Sequence, residues 1–260
     1  MRDLRVGVVQ NNPIFLERER NIARCFSLMG RRKADLWVLP EFFASGYAFE
    51  NAGEAHNAAE AVPGGPTCRA LAAYAKKHGC AIVAGLPEKA GRKYFNTAVC
   101  VTPRGVKKYR KAHLFGREKE FFSPGDTAFS CFTHKGVKIG ALICFDWVFP
   151  EACRTLALRG AQVVALPANL ILPWGPYVMR ARSIENRIFT VVANRCGSER
   201  GLRYIGSSQI AGVDGALLLK APRRGEFCGV AAIAPERALD KRLTGRNDLF
   251  GDRRTDLYRL

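Results

Sequence analysis

The segment KIGALICFDWVFPEACRTLALRG (Lys138–Gly160) places Cys144 after five largely apolar residues, Ile139–Ile143, and ahead of Phe145-Asp146-Trp147, Pro150 and Glu151. Ala152, Leu156 and Arg159 then recur at helical spacing. The pattern predicts a buried strand, a corner and a helix starting near Phe149 or Pro150, with the thiol at the C-terminal end of the strand. That edge is where α/β sheets bind ligands. A strand-to-helix corner can display a nucleophile, and the N–H groups of the following helix would favour a thiolate through their dipole. The same corner can equally hold an inert, buried cysteine.

A thiol nucleophile needs a group to accept its proton. The chain has four histidines, His56, His78, His113 and His134. His113 lies in a strand-like segment and is one candidate. Glu41 is another: it follows Leu39-Pro40 at the end of a strand and precedes Phe42 and Phe43. A carboxylate in apolar surroundings has a raised pKa and can shuttle protons near neutral pH. Lys111, in KKYRKAHLFG, would stabilise a developing oxyanion if it faced the thiol. Its basic neighbours fit a surface lysine as well.

Alternating strand-like and helix-like segments must position these groups. LRVGVVQ (Leu4–Gln10) reads as a buried strand, and Ile22, Cys25, Phe26 and Met29 mark one helix face. Asp35–Pro40 is the next strand. Thr67–Gly79 is helical, with Thr67 as N-cap and Gly79 as C-terminal stop. Cys80–Glu88 and Phe95–Gly105 are strands, and Val106–Leu114 is the return arm of a hairpin. A helix about Pro176–Arg187 precedes the strand-like FTVVANRCG, and late strands follow in SSQIAGVDG and EFCGVAAIA. LRVGVV and VKIGAL each open a strand-helix-strand unit that closes in Leu-Pro, at Leu39-Pro40 and at Leu166-Pro167. Two such halves packed sheet to sheet, helices outside, give four layers. No linker interrupts residues 1–260, which predicts a single domain.

Composition narrows the function. Hydrophobic residues make up 48% and charged residues 25% of the 260, as in globular proteins. No apolar run reaches the roughly 20 residues of a membrane span, and no signal peptide or Asn-x-Ser/Thr sequon is present, so a cytoplasmic location without membrane association is expected. Nine cysteines at irregular spacing with no Cys-x-x-Cys pair read as small buried apolar residues, not as a zinc site or disulfide framework. The net charge of +18 invites nucleic-acid binding. The basic clusters GRRK, KKYRK and GDRRTD, however, lack aromatic interleaving, and a solvated basic surface with no specific nucleic-acid partner is expected. A binding protein exploiting that charge is the competing function from another class.

Taken in order, LPEFFASGY with Glu41, YRKAHLFGREKEFFSPGD with Lys111 and ICFDWVFPE with Cys144 resemble the three motif regions of the nitrilase superfamily, the carbon–nitrogen hydrolases. The similarity extends through LRGAQVVALPAN and RARSIENRIFTVVANRCG and covers essentially the whole chain. It implies a four-layer αββα sandwich, Cys144 as nucleophile, Glu41 as general base and acid, and Lys111 as oxyanion stabiliser. Glu118, just ahead of Ser-Pro-Gly, matches the family's second glutamate better than Glu120, with the role of positioning Lys111 and the substrate. His113 becomes a structural residue. The family needs no metal or organic cofactor, and its members commonly form dimers or larger assemblies; the tail, about 244–260, is expected to pack on a partner subunit.

Cys144-Phe145-Asp146 resembles the amidase and carbamoylase branches more than the strict nitrilases, which usually carry Cys-Trp-Glu. Carbamoyl-amino-acid hydrolases place arginines after the aspartate; here stand Trp147 and Val148. An apolar or small substrate follows, with Phe42, Phe43, Phe145, Trp147, Trp174 and Asn169 as candidate substrate-binding residues. The expected activity is that of a small aliphatic amidase, with nitrilase or N-carbamoyl amine hydrolase as alternatives.

Overall fold

In the computed structural model, which describes residues 3–258, the apolar runs become strands. They are β1 (Leu4–Gln10), β2 (Leu36–Val38), β3 (Ala81–Ala90), β4 (Lys93–Thr102), β5 (Gly105–Arg110), β6 (Cys131–His134), β7 (Val137–Ala141), β8 (Val163–Ala168), β9 (Phe189–Asn194), β10 (Ser198–Glu199), β11 (Leu202–Arg203), β12 (Gln209–Ala211), β13 (Leu217–Lys220) and β14 (Phe227–Ile233). The helices are α1 (Arg18–Met29), α2 (Ala52–Ala58), α3 (Pro66–His78), α4 (Glu118–Phe121), α5 (Pro150–Leu158) and α6 (Gly175–Asn186). Met1 and Arg2 of the N-terminal segment, and Arg259 and Leu260 of the tail, lie outside the described residues.

Two six-stranded sheets result, ordered β14-β1-β2-β3-β4-β5 and β13-β12-β9-β8-β7-β6. Each has three parallel strands at its centre, β1-β2-β3 and β7-β8-β9. Period-two alternation divides the side chains between two cores. Val6, Val8, Leu36, Val38 and Val83 point inward and join Val163, Leu166, Val191 and Val192 of the other sheet. Val9, Trp37, Leu39 and Ile82 point outward and pack under Ile22, Cys25 and Met29 of α1 and Cys68, Leu71 and Ala75 of α3. Helices α5 and α6 cover the second sheet, with Leu156 and Met179 buried in the larger core. The arrangement is helix, sheet, sheet, helix. Buried on both faces, the parallel strands read as continuous apolar runs.

Local differences from the sequence-based expectation have physical causes. Helix α3 is capped by Gly65, not Thr67; Pro66 occupies the first turn, and the Glu60 carboxylate accepts from the Thr67 and Cys68 N–H groups at 3.0 Å each. A carboxylate from the loop just before the helix satisfies these donors and replaces the local cap. Gly79 stops the helix in the left-handed conformation, φ 63°, as expected. Helix α2, in AGEAHNA, has too few apolar residues for a periodic signal, although Asn51 caps it by accepting from Glu54 N–H at 3.0 Å. Part of the tail packs on its own chain: the Phe250 ring lies under Arg154 and Lys241. No helix among the described residues is long and apolar enough to cross a membrane.

All nine cysteines are free, and seven are buried. Burial raises the thiols of Cys80, Cys196 and Cys228 to about 11 and those of Cys68, Cys100 and Cys153 to about 12. A raised thiol holds its proton more firmly in the folded than in the unfolded chain. The folded state therefore binds more protons above the ordinary thiol pKa of 9.0, and stability falls as pH rises. Melting temperatures measured from pH 8 to pH 11 should decline progressively above pH 9; a flat profile contradicts the assignment.

Candidate active site

Glu41, Lys111 and Cys144 lie just beyond the C-terminal ends of β2, β5 and β7 and come together although they are far apart in sequence. Glu41 follows β2. Its turn is fixed by Leu39 N–H to Val83 carbonyl (2.9 Å), Gly85 N–H to Pro40 carbonyl (3.2 Å) and Gly46 N–H to Phe42 carbonyl (3.0 Å). Three asparagine side chains pin carbonyls of this turn: Asn169 holds that of Glu41 (2.9 Å), Asn11 that of Phe43 (2.9 Å) and Asn21 that of Ala44 (2.8 Å). Strand β3 approaches so closely that a Cβ on Gly85 would lie 2.6 Å from the Cα of Glu41. Only glycine admits that approach.

Lys111 extends β5 by one residue, its N–H bonded to the Asn96 carbonyl at 2.8 Å and its carbonyl accepting from Gly125 N–H at 2.9 Å. The side chain turns inward and is 1% exposed. Its ammonium donates to Glu41 Oε1 at 2.8 Å and to Glu118 Oε1 at 2.7 Å. Burial alone would pull this ammonium down, but Glu118 and Glu41 outweigh it and hold the proton more firmly than usual. Glu118, at the start of α4, is raised by burial, against Lys111 and with Glu41 adding to the shift. Tyr47 hydroxyl donates to Glu118 at 2.6 Å, and the Asn96 amide bridges Glu41 (2.7 Å) and Glu118 (3.3 Å). Glu41 Oε2 is buried with no partner.

Cys144 comes from the opposite sheet, three residues after β7. It opens a 3₁₀ turn, Cys144–Val148, with φ 40°, in the left-handed region that a side chain rarely adopts. Strain at such a residue is a feature of functional corners. The turn is held by Asp146, whose buried carboxylate accepts from Ile143 N–H (2.9 Å), Tyr109 hydroxyl (2.8 Å) and His113 N–H (3.2 Å), and faces His113 Nδ1 at 2.7 Å. The His113 ring stacks on Phe149 at 3.6 Å. His113 therefore braces the corner and is bonded away from the thiol.

Helix α5 begins at Pro150, as expected, with the 3₁₀ turn between it and the sulfur. Burial pushes the thiol well above its ordinary range, and Glu41 adds to the shift; Lys111 opposes it.

A cavity of about 420 Å³ reaches this cluster through Glu118; Glu41, Lys111 and Cys144 lie behind its lining. Asn169 and Glu118 line it among Phe42, Tyr47, Phe49, Phe115, Phe122 and Leu202. The six candidate pocket residues divide. Phe42 and Asn169 are in the lining. Phe43, one strand position out of phase, is buried with Val9 and Leu39 beneath the helices. Phe145 packs against Phe115 and Phe149 beside a separate shallow cleft. Trp147 is in the intersheet core, and Trp174, 57% exposed, precedes α6 on the surface. None of these four lines the cavity. At the rim, Arg117 pairs with Glu120 (3.0 Å) and Arg200 with Glu54 (2.5 Å). Among the described residues no cluster of three His, Cys, Asp or Glu could hold a metal ion.

Sequence reasoning did not single out Tyr47, Asn96, Glu199 or Arg195. Glu199 accepts from the Tyr47 and Ala48 N–H groups at 2.7 Å each and pairs with buried Arg195 at 3.0 Å, fixing the loop that carries Tyr47. Asn96 carried a signal: an amide in the otherwise apolar strand FNTAVCV needs a buried partner.

The family model for carbon–nitrogen hydrolases matches residues 5–241. A protein named nitrilase from Pyrococcus abyssi is 46% identical, covering 98% of this chain and 99% of its own. An (R)-stereoselective amidase from Pseudomonas sp. is 37% identical, covering 73% of this chain and 69% of its own. Among solved structures, an amidase mutant from Nesterenkonia sp. AN1 superposes with a TM-score of 0.80, at 27% identity, covering 98% of this chain and 95% of that one. It carries the acetamide moiety of fluoroacetamide covalently added at its active site cysteine.

Asp146→Asn, which keeps the size but loses acceptor capacity beneath three or four donors, should cost about 1–3 kcal/mol. Thermal unfolding should register a drop of several degrees, and Cys144 should react more readily with iodoacetamide as its corner loosens. Unchanged values for both would remove Asp146 from its bracing role.

Proposed function

The chain belongs to the carbon–nitrogen hydrolase family and is a hydrolase, and we propose that it is a cysteine-dependent amidase acting on small, uncharged aliphatic amides. The observation that carries this reading is the buried Lys111, bonded to both Glu41 and Glu118, with Glu118 lining a largely apolar cavity.

The reaction follows from the geometry. Glu41 Oε2, the one oxygen of that carboxylate without a partner, takes the Cys144 proton as the sulfur attacks the amide carbonyl carbon. Negative charge moves to the carbonyl oxygen, where Lys111 and the backbone N–H of Phe145, at the open start of the 3₁₀ turn, stabilise it. The carbon–nitrogen bond breaks as Glu41 returns the proton to the leaving nitrogen, and ammonia departs. The acyl group remains on sulfur as a thioester. Glu41 then takes a proton from water, whose oxygen attacks the thioester and releases the acid and the thiol. Glu118 and Tyr47 hold Lys111 in place throughout.

Cavity shape supports a small, neutral acyl group. Its wall is mainly aromatic, and Arg117 and Arg200 at the rim are already paired with carboxylates, so neither offers a free guanidinium to a carboxylate-bearing carbamoyl substrate. Nitrilase action is the second reading, favoured by the name and 46% identity of the Pyrococcus abyssi relative. We further propose residues 1–260 as one domain, a reducing cytoplasmic setting consistent with nine free thiols, and self-association through apolar side chains exposed on α5, α6 and the tail, among them Leu158, Tyr177 and Leu257.

Ammonia release over a panel of short amides and nitriles tests the reading. Cys144→Ala should abolish turnover and the acyl adduct seen by intact-mass spectrometry, and Glu41→Gln should lower kcat about 10²–10⁴-fold. Turnover that persists without Cys144 would end it.

A further inference from the structure

Resting on the amidase reading, we propose that the Asn169 side chain is a specificity-determining group that selects substrates presenting an –NH2, so that the site prefers a primary amide to the nitrile of the same acyl chain. Asn169 follows β8, lines the cavity and is 4% exposed. Its Nδ2 donates to the Glu41 carbonyl at 2.9 Å. A carbonyl only accepts, so the orientation of the amide is fixed by chemistry and Oδ1 must be the other atom. That oxygen is buried and has no partner. The backbone of the same residue opposes the rise of the Cys144 thiol.

The donor and acceptor inventory around the thiol is therefore unbalanced. Glu41 Oε1 is occupied by Lys111 and Asn96. Glu41 Oε2, Asn169 Oδ1 and Asn96 Oδ1 are unpartnered acceptors; of the two asparagines only Asn169 lines the cavity, and the thiol can supply one weak donor. The two hydrogens of a substrate –NH2 would satisfy Glu41 Oε2 and Asn169 Oδ1. A nitrile nitrogen has none and would leave Oδ1 unpaired in a buried site, a loss of about 10- to 100-fold in affinity or rate. A binding site built to hydrogen-bond a polar group rejects analogues that lack it, whereas apolar contacts discriminate weakly. The aromatic wall contacts the acyl chain and is blind to this difference.

The test compares kcat/KM for butyramide and butyronitrile in the unaltered enzyme, Asn169→Leu and Asn169→Ser. Leucine removes Oδ1 at similar volume; serine is the smaller variant should leucine disturb folding. Butyramide turnover should fall about 10- to 100-fold while butyronitrile turnover falls less, so the amide-to-nitrile ratio drops. A merely structural role, through the bond to the Glu41 carbonyl, would depress both substrates equally, and that result, or an unchanged ratio, overturns the proposal. A second readout does not need turnover: in a Cys144→Ala background, calorimetric binding of butyramide should weaken on adding Asn169→Leu, and equal affinity overturns the proposal again. The preference of the unaltered enzyme reports separately on the amidase reading. An enzyme faster on butyronitrile refutes that reading, while the change of ratio on substitution still decides the role of Asn169.

Discussion

A lysine ammonium held out of water between two carboxylates is the interaction on which this molecule is built. Lys111 cannot be buried alone, because an uncompensated charge in a low-dielectric interior is very costly. Glu41 and Glu118 supply the compensation, and Asn96 and Tyr47 add hydrogen bonds to them. Two carboxylates around one ammonium leave the trio with an acceptor to spare. The unpartnered Oε2 of Glu41 is that spare capacity, and Glu41 also adds to the rise of the neighbouring thiol. Charge compensation and proton transfer are thus two aspects of one buried cluster.

Much of this was legible in the sequence. The central strands are apolar runs, and Glu41, Lys111 and Cys144 lie at or just beyond strand ends where the motif resemblance placed them. What was not legible depends on long-range packing. The rise of the Cys144 thiol follows from burial and from Glu41, far away in the chain, and neither is visible in a local argument from a helix dipole. Phe42 and Phe43 are equivalent as letters, yet a turn at φ 50° aims one at the cavity and the other beneath the helices. Trp174 and Trp147 read as pocket aromatics because aromatics near motifs often are; the fold uses one on the surface and one in the core. The cap of α3 came from Glu60, seven residues ahead of Thr67, because the loop before the helix folds its carboxylate back onto the first turn.

Near the cavity and along β5, basic residues are held by pairing, although most of the chain's 41 lysines and arginines make no such pair among the described residues. Arg117, Arg200, Arg110 and Lys108 each meet a carboxylate, and Glu88 alone takes two cations. Around the cavity this leaves an apolar wall with a neutralised rim. With the family established, the competing picture of a binding protein defined by its charge has no further support.

The bond from Asn169 to the Glu41 carbonyl crosses between the two sheets. One half of the sandwich contributes the base and the cation; the other contributes the sulfur. Neither sheet, folded by itself, owns a working site. Turnover is accordingly a sensitive gauge of docking between the halves: a slippage too small to melt the protein would already silence it.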